Sequence, residues 1–158
     1  MRGLGRIQVP GASPAATRSF TPAVTQSGAP TYTSRSGYFT RIPGTRWVQG
    51  GFVIIIAGTG GAVANNAVSI TEPFPAAPWY VSSSGGSGVN IGTGTIYDYS
   101  SGLIYPGHLM NGGMGVMYLI PSHNTTNAFM GYTASSSFAA ALTTNDTITG
   151  TFMYEAAA

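Results

Sequence analysis

The chain has 158 residues, no cysteine and only 6% charged residues, against roughly 25% in an average soluble domain. The missing cysteines exclude disulfides, thiolate metal sites and cysteine nucleophiles, and a hydrophobic share of 43% excludes a disordered polar tail. A surface this short of charge is solvated poorly unless other copies or a larger assembly cover it; the alternative is a monomer coated in Ser and Thr.

The basic residues are all arginines: Arg2, Arg6, Arg18, Arg35, Arg41 and Arg46. The acids, Glu72, Asp98, Asp146 and Glu155, all come later. A basic N-terminal third on a nearly neutral body suits docking onto an acidic surface, unless it is simply a solvated arm. No basic–aromatic interleaving marks a nucleic-acid binder, so none is expected as a partner.

In chain order, residues 1–18 are rich in Gly, Pro, Ala and Ser and read as an extended basic arm. They lack the apolar segment of a secretory signal. Residues 19–158 read as one antiparallel β-sandwich domain. Val, Ile, Thr, Tyr and Phe cluster there in short runs broken by Gly, Pro, Ser and Asn. The runs predict strands over 19–26, 30–42, 46–57, 67–71, 79–83, 88–91, 94–99, 102–106, 115–121, 128–133 and 146–155. A loop is expected over 134–145. In the last strand Ile148, Gly150, Phe152 and Tyr154 share the core face.

The run Phe52–Ala57 (FVIIIA) is apolar on both faces. It is too short for a spanning helix, which needs about 20 apolar residues, so membrane insertion is not expected. Phe52, Ile54 and Ile56 are assigned to the core. Val53, Ile55 and Ala57 then need a second cover, either another subunit or a loop or arm of the same chain.

Catalytic signals are sparse. There is no lysine for a phosphate-binding loop, no GxSxG, and no pair of His, Asp or Glu at a metal-ligand spacing. No cofactor, metal or enzymatic activity is expected. His108 is placed in a turn or at an interface, and His123 at a loop tip. Trp79, Tyr97, Tyr99 and Tyr105 could form a platform for a glycan, although aromatic rings more often supply buried area.

Four segments carry a family resemblance: SFTPAVTQSGAPTYT, GYFTRI, ANNAVSITEPFP and NDTITGTFMYEAAA. From about Phe20 to Ala157 the chain resembles a β-sandwich domain of small virion proteins and fibre tips of tailed bacteriophages. The resemblance implies a jelly-roll-like fold, a homotrimer and no enzymatic residues. It implies a capsid decoration, cement or head-fibre protein at the virion surface, with the major capsid protein or another virion protein as partner. Arg2, Arg6 and Arg18 would then be the capsid-docking arm. The alternative is a receptor-binding tip of a tail fibre that recognises host surface glycan.

Overall fold

The computed structural model describes residues 15–77, 89–113, 115–122 and 138–158. Nine strands are present among them and no helix. They are β1 (Thr17–Phe20), β2 (Val24–Thr25), β3 (Thr31–Arg41), β4 (Trp47–Gly58) and β5 (Val68–Thr71). There follow β6 (Asn90–Asp98), β7 (Leu103–Gly113), β8 (Val116–Pro121) and β9 (Thr147–Glu155). All pair antiparallel in one sheet, in the order β1-β3-β4-β9-β6-β7-β8-β5-β2.

The sheet is curled so that its two limbs face each other across the core. Chain length alone demands this. β1 and β2 lie at opposite edges, yet only residues 21–23 separate them. At about 3.5 Å per residue, the two edges must come within roughly 14 Å of each other. Tyr32 on β3 then clasps β2: its hydroxyl donates to the Val24 carbonyl and accepts from the Val24 N–H, both at 2.9 Å.

Period-two alternation sorts the side chains. Val48, Phe52, Ile54 and Ile56 of β4 and Ile148, Phe152 and Tyr154 of β9 line the concave face, all buried. Ile96, Leu109, Met117, Leu119, Val68, Ile70 and Val24 close the core from the other limb. Gly150 lets the limbs approach: a Cβ there would sit 2.6 Å from the Phe52 ring and 2.9 Å from Leu109 Cδ1.

The single expected strand over 19–26 is two strands, because Pro22 cannot donate to a ladder and the chain changes edge there. The runs 88–91 and 94–99 are one strand, β6. Gly92 is an interior close-approach point, where a Cβ would meet the Thr151 carbonyl oxygen, and the bulge lies between Asn90 and Gly92. β7 runs on past the expected end at Pro106. The Pro106 carbonyl accepts from the Ser122 N–H at 2.7 Å, so its missing N–H faces β8 where that ladder ends at Gly107–Pro121. His108 is therefore inside a strand, not in a turn; the turn is made further on, at Gly115 with φ 82°.

The Pro43-Gly44 turn forms as read, with Gly44 at φ 73° and Arg41 opposite Val48. Residues 138–145 contain no helix, and Asn145 turns the chain into β9 with φ 71°. The strands expected over 79–83 and 128–133, and His123, lie outside the described residues. Arg18, assigned to the arm, is part of β1.

Candidate functional site

The outer face of β3, β4, β9, β6 and β7 gathers most of the residues singled out from sequence. Directly opposed residues in an antiparallel ladder share a face. The register therefore defines three rows: Ser34–Ile55–Thr147–Tyr97–Ile104, Ser36–Val53–Thr149–Thr95–Pro106 and Tyr38–Gly51–Thr151–Thr93–His108.

The first two rows carry an apolar band. Val53 is 43% exposed, Tyr97 36% and Ile104 65%. Ile55 is half-buried and Ala57 exposed. The described chain thus leaves the second face of 52–57 open to solvent; the cover that its apolar character calls for comes from none of the described loops. Tyr99 extends the band, with its ring edge-on to Tyr97 at 6.4 Å between centroids.

The other end of the face is a trough of about 810 Å³. Its floor is small, with Gly51, Thr93, Thr95, Thr149 and Thr151. Tyr38 and His108 stand on opposite sides, and its lining residues include no carboxylate. Thr95 and Thr149 hydroxyls pair at 2.8 Å, and Asn90 Nδ2 bonds His108 Nδ1 at 3.1 Å. Short side chains between tall ones leave a groove with hydroxyls at its base. Such a surface accommodates either another protein's side chains or a sugar ring.

Tyr105 does not belong to this face. Its position alternates inward, it is only 5% exposed, and its ring packs edge-on to Phe138 at 5.1 Å. The glycan platform read from sequence is corrected accordingly: Tyr97 and Tyr99 are outside and together, whereas Tyr105 is core. Trp79, Arg2 and Arg6 lie outside the described residues.

The buried acids are structural clamps. Asp98 Oδ1 accepts from the Ser100 N–H, the Ser100 hydroxyl and the Ser101 N–H, which shapes the β6–β7 turn. Burial acts to raise its pKa, but these bonds prevail and hold it below the usual value. Asp146 is fully buried and accepts from Tyr99 N–H through one oxygen and from Thr143 through the other. For Asp146 burial prevails over those bonds, the Asp98 charge adds to it, and the pKa is raised.

Glu72, between the limbs, has the most perturbed carboxyl. Oε1 accepts from Asn111 Nδ2 at 2.9 Å and Oε2 from the Ala76 N–H at 3.1 Å. Burial pushes its pKa from 4.5 up to about 8, against the opposing Ala76 bond. The folded state therefore holds a proton that the unfolded state releases near 4.5. The stability from this group is fully present below pH 4.5 and is lost as pH rises through 8. The expected outcome is a melting temperature that falls from about pH 4.5 to about pH 8 and levels off above, and a flatter profile in Glu72→Gln. Equal slopes in the two proteins would show that Glu72 is not the group responsible.

Comparison with protein-family models, with curated proteins and with solved structures finds no match to this chain. Among the described residues no group of His, Asp or Glu is placed to hold a metal ion, and no helix is long and apolar enough to cross a membrane.

Proposed function

We propose that the chain is a structural protein of a tailed-phage virion. In this reading it is a capsid decoration, cement or head-fibre protein that forms a homotrimer and docks on the capsid exterior. Its domain would be jelly-roll-like, its arm would carry Arg2 and Arg6 to the major capsid protein with Arg18 on β1 beside them, and it would perform no catalysis. The observation that carries the reading is the apolar band of Val53, Ile55, Tyr97 and Ile104, which no described loop covers, on a chain with 6% charge. Burying such a band against other copies removes apolar area from water, worth about 25 cal/mol per Å² before the costs of association. The four family-like segments supply the virion context.

A second reading, a receptor-binding fibre tip, draws on one specific feature. The exposed Tyr97–Tyr99 pair on the face that carries the hydroxyl-lined trough could stack on and hydrogen-bond a host glycan. Labelled protein mixed separately with stripped capsids and with host cells separates the two. Retention on capsids supports docking, retention on cells supports the tip reading, and retention on neither contradicts both.

A further inference from the structure

Three arginines lie on the core side of the sheet, where alternation calls for apolar residues: Arg35, opposite Ile54, sits over the Tyr32 ring, and Arg18 and Arg41 lie together at the β1–β3 edge. Arg18 is directly opposite Phe39, and Arg41 follows Phe39 by two positions on β3. Phe39 is buried and faces the core, so both guanidinium stems project to that side. Both residues lie at the open rim of the curled sheet and are exposed. Between them is a pocket of about 290 Å³, lined also by Phe74, Pro43, Ala15 and Ala16. Phe39 and Phe74 meet edge-on at 5.2 Å and give it an aromatic wall.

No acid of this chain neutralises that pair. The ion pair among the described residues joins Arg46 to Glu155. Glu72 is held by Asn111 and Ala76, Asp98 by Ser100 and Ser101, and Asp146 by Tyr99 and Thr143. Each of the four carboxylate side chains already has a partner within its own fold, which points to a different molecule as the source of an anion for the pocket.

We propose that the Arg18–Arg41 pocket binds an acidic peptide segment of another protein, one carboxylate seated between the guanidiniums and an adjacent apolar side chain on the Phe39–Phe74 wall. Guanidinium groups favour carboxylates through charge-assisted, often bidentate hydrogen bonds. Phe39 is only 7% exposed, so the wall offers little aromatic face on which a nucleobase could stack, whereas a short aliphatic side chain fits beside the carboxylate. This rests on the docking reading above for the partner's identity. It places the anchor in a formed pocket lined by Arg18 and Arg41 rather than in residues Arg2 and Arg6.

The test uses the full chain and a labelled peptide containing Asp-Leu-Glu, with an Asn-Leu-Gln peptide as its uncharged match. Fluorescence polarisation should show saturable binding of the acidic peptide alone. Arg18→Gln and Arg41→Gln should each weaken it about tenfold, the scale of one charge-assisted bond. Arg35→Gln, whose guanidinium lies 4.5 Å above the Tyr32 ring, should leave it unchanged. Equal binding of the amide peptide, no effect of either substitution, or displacement by an equally charged single-stranded oligonucleotide at lower concentration would overturn the proposal. The same proteins are then tested on stripped capsids. Peptide binding without capsid retention would sink the docking reading and leave the pocket standing. Capsid retention unaffected by the double substitution, without peptide binding, would do the reverse.

Discussion

Gln26→Leu should destabilise the folded chain by about 3–5 kcal/mol, the result of stranding several buried polar groups at once. Gln26 is fully buried just after β2. Its Nε2 donates to the Ala140 carbonyl at 2.8 Å, and its Oε1 accepts from the Leu142 N–H at 2.9 Å. Its backbone carbonyl also accepts from the Val63 N–H at 2.9 Å. One side chain therefore satisfies the strand-less segment before β9 and ties it to the β2 edge. Leucine fills nearly the same volume but leaves the Leu142 donor and the Ala140 acceptor dry. With total stabilities of roughly 5–15 kcal/mol, a loss of this size lowers the melting temperature by about 10 °C or unfolds the chain. Gln49→Leu, at an exposed position of β4, should change stability by less than about 0.5 kcal/mol. Thermal denaturation of the two variants checks this; equal melting temperatures would contradict the bridging role.

Ile55→Asp should convert an assembled protein to folded monomer. Ile55 faces outward between Ser34 and Thr147, so the substitution leaves the core intact. It would place a charge in the apolar band, where burial without a partner costs several kcal/mol. Its neighbour gives the contrast. Ile54 is fully buried on the core face, and Ile54→Asp should prevent folding altogether. Circular dichroism and native mass together separate the outcomes. A folded Ile55→Asp protein with unchanged native mass would refute the interface reading.

Strands β3, β4, β5, β8 and β9 were legible because alternation and turn residues agreed locally: Pro43-Gly44 and Asn145-Asp146 mark turns in both sequence and structure. The outward set of Val53, Ile55 and Ala57 followed from period two alone. The trough did not, since Gly51, Thr93 and Thr151 meet only through ladders between strands distant in sequence. Tyr105 and Tyr97 look alike in IYDYSSGLIY; the turn held by Asp98 decides which of them faces inward. Arg18 read as part of an arm because nothing local announces its pairing with Phe39. Gln26 gave no signal, as one polar residue closing a short strand is ordinary in sequence and exceptional only once its partners are known.

If the outer face of β3, β4, β9, β6 and β7 assembles copies of the chain, sedimentation equilibrium of the full chain at micromolar concentration should show a single species at three times the 16.2 kDa chain mass. A monomer at every concentration examined would contradict it.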